Sequence, residues 1–189
     1  DESFAGPAPR IRVRNRAEVV CVPGAELPFT DVKKDAWYYD GVAYSYFNGY
    51  FKGLSETIFA PNATVNRAMI VTVLYRLAGE PEVENLTSFR DVNASRYYAK
   101  AIAWASENGI VSGYKDGTFR PNDTITRAEV TAITNRLLDR AADEDYVDDH
   151  AGELRQFPDV SASYWAYHDI VEATNAHSYR VYDGEEHWM

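Results

Sequence analysis

A single cysteine, Cys21, stands in the 189 residues, so neither an internal disulfide framework nor a multi-cysteine zinc site can form. No apolar run reaches the 18 or more residues that a membrane-spanning helix needs. Cations are scarce as well: 19 Lys and Arg against 29 Asp and Glu leave a formal charge of −10 and a sequence pI near 4.8. No basic stripe is available to follow a phosphate backbone, which argues against a nucleic-acid partner. No Ser, Cys or His sits in a recognisable nucleophile motif, and neither Gly-x-Ser-x-Gly nor His-Glu-x-x-His occurs. Acids numerous enough for paired-carboxylate chemistry are expected on the surface of any chain this acidic. The four histidines, His150, His168, His177 and His187, have spacings that fit no zinc motif. The acids of 143–149 lack the glycine and closing glutamate of a calcium loop. A non-catalytic chain with no cofactor and no metal is the expectation. It shows no leader segment and does not begin with Met, which suggests a processed or truncated product.

What is present is repetition. Phe29-Thr30-Asp31-Val32 returns sixty positions later as Phe89-Arg90-Asp91-Val92, and Asn66-Arg67-Ala68 returns as Thr126-Arg127-Ala128 at the same offset. Between them Trp37 keeps step with Tyr97, Asn48-Gly49 with Asn108-Gly109, Gly53 with Gly113, and Phe59 with Phe119. Such a period marks units that cannot bury their apolar faces alone and must pack on neighbours. It favours a binding scaffold over a single-site enzyme. Fourteen tyrosines and four tryptophans supply rings for a small core and for half-exposed contacts with sugars.

The organisation follows from the repeat. Residues 1–28 form an N-terminal segment, 29–79 the first repeat, 80–88 a linker and 89–140 the second repeat. An acidic linker, 141–156, leads to a partial third copy at 157–189, which opens on Phe157-Pro158-Asp159-Val160 with Trp165 in the place of Trp37. Asn15-Arg16-Ala17-Glu18 reads like Thr126-Arg127-Ala128-Glu129. The two ends are then either complementary halves of a third unit or an accidental match that Pro23-Gly24 cuts short. The expected architecture is one compact, mainly α domain.

Each full repeat reads as helix, ordered loop, helix. Asn48-Gly49 and Asn108-Gly109 are helix stops. Thr126-x-x-Glu129 is a capping box, with Ile125 and Val130 at the hydrophobic-staple positions. Asn66 caps the equivalent helix of the first repeat. The apolar stripes are expected at Ile70, Val73, Leu74 and Leu77, and at Val130, Ile133, Leu137 and Leu138.

Arg67 and Arg127 occupy the first helical position, where the helix dipole is already positive. Free amides, the dipole and a guanidinium fork together suit a carboxylate or phosphate. An internal acid, Asp91 or one in a neighbouring repeat, would satisfy Arg127 equally well.

The run Phe89-Arg90-Asp91-Val92, Asn108-Gly109-Ile110, Gly113-Tyr114-Lys115-Asp116-Gly117-Thr118-Phe119-Arg120-Pro121 and Ile125-Thr126-Arg127-Ala128-Glu129 resembles the S-layer homology domain family. The likeness covers about three quarters of the chain. It implies a pseudo-threefold spindle of helical repeats, with a central helix bundle and ordered loops. It also implies a bacterial cell-surface location, with pyruvylated secondary cell-wall polysaccharide held in grooves between units. On that resemblance Arg67, Arg127 and, if the ends combine, Arg16 take the ketal carboxylate. Trp37, Tyr97 and Trp165 pack on sugar, and Gly113 with Tyr114 allows close backbone approach. The departures are Lys52 and Leu54 around Gly53, Met69 in place of the glutamate, and the missing Arg-Ala-Glu in the last copy. A protein-interaction scaffold at the cell surface is the rival expectation, and it would need neither the arginines nor the rings.

Overall fold

The structure, a computed structural model, describes residues 26–86 and 89–189. The elements are α1 (Tyr39–Phe47), α2 (Arg67–Leu77), α3 (Ala99–Glu107), α4 (Arg127–Leu138), α5 (Glu144–Asp149), α6 (Tyr167–Thr174), β1 (Tyr179–Tyr182) and β2 (Glu185–Trp188). The protein is therefore mainly helical. The proposed half repeat around Arg16 lies outside the described residues.

The helix boundaries follow local chemistry. Asn66 accepts the Met69 amide at the start of α2. Thr126 and Glu129 close a reciprocal capping box at the start of α4. Gly49 and Gly109 follow α1 and α3 with φ of 75° and 68°, conformations that glycine adopts without strain.

Two compact units result, and their boundary does not coincide with that of the repeats. Among described residues the first unit holds 26–86, 89–105 and 113–124, and the second holds 106–112 and 125–189.

In the first unit the two Phe-x-Asp-Val motifs do the same work sixty residues apart. Asp31 accepts the amides of Phe59 and Ala60 at 2.9 and 2.7 Å, and Asp91 accepts those of Phe119 and Arg120 at 2.8 and 2.7 Å. Ala60 and Arg120 both sit at φ 59°, a left-handed conformation unfavourable to any residue with a Cβ. Each carboxylate thus holds a strained turn closed. The Phe59 amide draws the Asp31 carboxyl below the ordinary range; partial desolvation opposes the shift and the Ala60 amide assists it. A depressed pKa means that the stabilisation is present above the ordinary carboxylate range and is lost as pH falls through the folded-state value. Asp31→Ala is therefore expected to lower the melting temperature at neutral pH, with the difference from wild type shrinking as pH falls below the ordinary carboxylate range. A difference that stays constant across those melts would contradict this role.

The buried face of α2 is rotated from the sequence expectation. Arg67, Ala68, Val71, Leu74 and Tyr75 are buried, whereas Ile70, Val73 and Leu77 are half-buried. The cause is the docking of the helix start: the amides of Arg67 and Ala68 donate to the carbonyls of Asp123 and Pro121, both at 3.0 Å. That contact turns the Arg67 side inward. Full burial of a chain such as Val71 or Ile102 contributes roughly 1.5–3 kcal/mol each.

In the second unit α4 packs on α6, and Asn135 donates to the Asp169 carbonyl at 2.9 Å. Leu138, expected in the stripe, is instead exposed. The segment read as an acidic linker carries α5: Asp143 caps it, Glu144 and Asp145 suit its positive end, and Val147 is fully buried against Tyr167, Val171 and Trp188. After α6 the chain turns into an antiparallel hairpin, β1 with β2, absent from the sequence expectation. Asp183 and Gly184, at φ 53° and 85°, form its two-residue turn.

Candidate functional site

In the first unit a cavity of about 480 Å³ opens between the loop after α1 and the outer face of α2. Phe51, Phe59, Val65 and Met69 make its wall apolar, while Lys52, Arg76, Thr72 and Tyr97 bring the polar groups. Tyr97 is 61% exposed, so its ring face is accessible. Arg76 is positioned by donating Nη1–H to the Tyr50 carbonyl at 2.9 Å, and Glu80 lies 3.9 Å from its Nε. That exposed carboxylate offers little competition in water. A second cavity of about 530 Å³ shares Thr72, Arg76 and Tyr97 with the first and carries Glu80, Glu82, Glu84 and Lys100. A cation, a ring face and an apolar wall together suit a sugar that bears a carboxylate.

The expected site residues fall into different roles. Tyr97 lies at this cavity, and Trp37, 94% exposed, lines a shallower one of about 350 Å³ in the same unit. Arg67 is 7% exposed and donates Nε–H to the Phe119 carbonyl at 3.0 Å. Its guanidinium lies 4.7 Å from the Phe119 ring centroid and 5.2 Å from that of Tyr114. The free helix start expected to receive an anion is therefore occupied in α2 by protein carbonyls and the Asn66 cap. Tyr114 also stacks under Arg120, whose guanidinium is 3.8 Å from its centroid.

Gly113 has a structural reason for lacking a side chain, since a Cβ there would meet the Phe89 ring at 2.2 Å and the Thr118 carbonyl at 2.8 Å. In the second unit Arg127 is exposed, and among the described residues its guanidinium has no hydrogen-bond or ion-pair partner. Trp165 is 58% exposed in that same unit.

Arg76 and Lys52 were not expected from the sequence. The signal for Arg76 was present, because Tyr75-Arg76-Leu77 meets Asn135-Arg136-Leu137 at the sixty-residue offset.

A second polar constellation lies in the second unit. Glu172, His177 and Glu186 place one ligand-type atom each within 4.8 Å of one another. The Arg140 guanidinium stands among them, with Nη2 2.7 Å from Glu172, 2.8 Å from His177 and 2.9 Å from Glu186. An internal cation already fills the position that a metal would need.

Comparison with known proteins agrees with the repeat and its motifs. Residues 28–68 and 88–131 match the S-layer homology domain. Cell surface glycoprotein 1 of Acetivibrio thermocellus is 31% identical over 86% of this chain and 7% of its own length. The cellulosome-anchoring protein of the same organism is 31% identical over 83% of this chain and 34% of its own. An amylopullulanase of Thermoanaerobacterium thermosulfurigenes is 34% identical over 77% of this chain and 8% of its own. The chain thus spans from 7% to 34% of the length of these relatives. The matched region corresponds to an anchoring domain and not to a catalytic one. Among the described residues no helix is long and apolar enough to cross a membrane. Over residues 28–68 and 88–131 the chain belongs to the S-layer homology domain family, whose members attach bacterial proteins to the cell wall and cell surface.

Proposed function

We propose that this chain is a non-catalytic anchor that binds an anionic wall polymer, pyruvylated secondary cell-wall polysaccharide, and so holds a larger protein at the surface. The observation that carries the reading is the 480 Å³ cavity with Tyr97 and Arg76 on its rim and an apolar wall behind them. Arg76 and Lys52 supply the local positive charge that a ketal carboxylate needs against an overall charge of −10. Tyr97 offers a sugar its ring face, and Thr72 adds a hydroxyl. Arg127 with Trp165 in the second unit is proposed as a further contact, and several weak contacts along one polymer add through effective concentration. The names of the relatives, a cell surface glycoprotein, a cellulosome-anchoring protein and an amylopullulanase, fit a shared attachment element joined to different activities.

The test is co-sedimentation with purified cell-wall sacculi, polymer intact or removed by mild acid. Wild type should bind only the intact sacculi, and Arg76→Ala/Tyr97→Ala should weaken binding by about tenfold or more, as expected for a charge-assisted contact plus a stacking ring. Arg127→Ala is expected to weaken it further. Equal binding to stripped sacculi would overturn the polymer as ligand and point to the peptidoglycan itself, and binding to neither preparation would replace this reading with attachment to a protein partner.

A further inference from the structure

The first helix of each later copy meets the second helix of the copy before it. Tyr75 of α2 packs on Trp104 of α3 with ring centroids 5.5 Å apart, and Asn135 of α4 donates to the Asp169 carbonyl of α6 at 2.9 Å. Among the described residues α1 has no such neighbour, and the apolar cluster around its Val42 draws only on residues 27–59. Tyr44 stands where Trp104 stands in the second repeat, yet it is 47% exposed against 5%.

The surface left open on the first repeat is the one that the second repeat has covered. In the second repeat Ala101, Ile102, Ala105, Val111 and Phe119 are all buried. Three loop carbonyls beside them receive the start of α2: Phe119 accepts Arg67 Nε–H, Pro121 the Ala68 amide and Asp123 the Arg67 amide, each at 3.0 Å. Sixty residues earlier Gly41, Val42, Ser45, Phe51 and Phe59 instead line the open cavity of about 350 Å³. A Cβ added at Gly41 would meet nothing within 4 Å. Among the described residues the carbonyls of Phe59, Pro61 and Ala63 accept no hydrogen bond. The loop that carries them is nevertheless fully built, since Asp31 holds the Phe59 and Ala60 amides. An apolar hollow beside three unpaired acceptors is the imprint of a helix start, whose free amides need such partners.

The sequence supplies an occupant. Asn15-Arg16-Ala17-Glu18 aligns with Asn66-Arg67-Ala68-Met69, and Val19-Val20-Cys21-Val22 continues against Ile70-Val71-Thr72-Val73. Ala68 and Val71, fully buried on α2, have Ala17 and Val20 in their places. The connection begins at the hollow itself: Leu27 and Phe29 pack in the Val42 cluster, and the Phe29 ring lies 5.3 Å from that of Phe59. The stretch from Val22 to Leu27 spans at most roughly 17 Å when extended, which keeps the segment near the hollow.

We infer that residues 15–22 dock as a short helix in the hollow between α1 and the loop 59–63, with Arg16 tied to the Phe59 carbonyl as Arg67 is to that of Phe119.

The Arg16 and Ala17 amides then donate to the Ala63 and Pro61 carbonyls, and Ala17 and Val20 face the apolar wall. Cys21 takes the place of Thr72, which is 5% exposed. Pro23 stops the helix after about two turns, where α2 continues. Arg16 is thus a tie within the chain and not a receptor for a ligand carboxylate. The segment completes the first repeat whether or not the chain binds a wall polymer.

Cys21, the sole cysteine, provides the readout. On the native 189-residue chain its reaction with dithionitrobenzoate should be at least about a hundredfold slower than in urea, because the reagent must await local opening. Gly41→Trp puts a ring into the hollow, and the open space above Gly41 lets the rest of the unit keep its fold. It should raise the native rate at least about tenfold while hydrogen exchange of the α2 amides stays as in wild type. Arg16→Ala, which changes no described residue, should release Cys21 in the same way. A native Cys21 that reacts as fast as in urea would overturn the inference, and so would protection that survives either variant. Protection that rises with protein concentration, together with a dimer in sedimentation, would put the segment on a second copy and overturn docking within one chain.

Discussion

Arg67→Ala is expected to destabilise the first unit by about 3 kcal/mol, roughly a hundredfold in its folding equilibrium, because it leaves a buried carbonyl without its charged donor. Arg67 is 7% exposed, and its Nε–H reaches the Phe119 carbonyl across 52 residues of chain. Its guanidinium also lies over the rings of Phe119 and Tyr114, contacts worth about 0.5–2 kcal/mol each when water is excluded. Arg67→Lys should recover only part of the loss, since an ammonium cannot spread over two rings while donating sideways to a carbonyl. Urea denaturation of the three proteins measures this. The folded fraction of Arg67→Ala should still bind wall polymer. An unchanged midpoint with lost polymer binding would mean that Arg67 is a ligand cation, as the family resemblance implies, and not the tie between two repeats.

Gly113→Ala is expected to cost about 1–3 kcal/mol, the usual range for overpacking a closed site. The added methyl would lie 2.2 Å from Cε1 of Phe89 and 2.8 Å from the Thr118 carbonyl. Neither neighbour can retreat easily: Phe89 packs on Phe119 at 5.6 Å between centroids, and the Thr118 carbonyl accepts the Tyr114 amide at 2.8 Å. Gly53 in the first repeat meets Phe29 at 2.6 Å and the Ile58 carbonyl at 2.8 Å, and its φ of +80° adds backbone strain for any other residue. Gly53→Ala should therefore be the more damaging of the two. Trimming the ring in Gly113→Ala/Phe89→Leu should return part of the lost stability, which a double-mutant cycle of thermal melts would read as coupling. A Gly113→Ala protein of normal stability that no longer bound polymer would assign the glycine to ligand approach instead.

How far the sequence could be read depended on the range of the forces involved. Asn66, Thr126 and Glu129 act within three residues, and Gly49 and Gly109 act on their own backbone, so the starts and stops of the helices were legible. Asp183-Gly184 is equally local and carries a turn signal, but within a segment assigned to a partial third copy that signal does not stand out as a hairpin. The acids of 143–149 were read for their charge, while the cap at Asp143 and the buried Val147 make them a helix. The groove residues Arg76 and Lys52 carry no cap or turn signal of their own and meet only where the loop after α1 faces α2, although Arg76 repeats at Arg136.

The sequence by itself determined the sixty-residue period, the family, the mainly helical content and the capped helices, because each of these rests on local pattern and recurrence. Only the tertiary structure decided which way Arg67 points, since its direction depends on carbonyls of Phe119, Pro121 and Asp123 supplied more than fifty residues away. The same holds for the cluster of Arg140, Glu172, His177 and Glu186, four charges or potential charges drawn from four separate segments. Whether a charged side chain faces water, a ligand or a buried partner is set by what long-range packing places beside it, and no spacing along the chain records that.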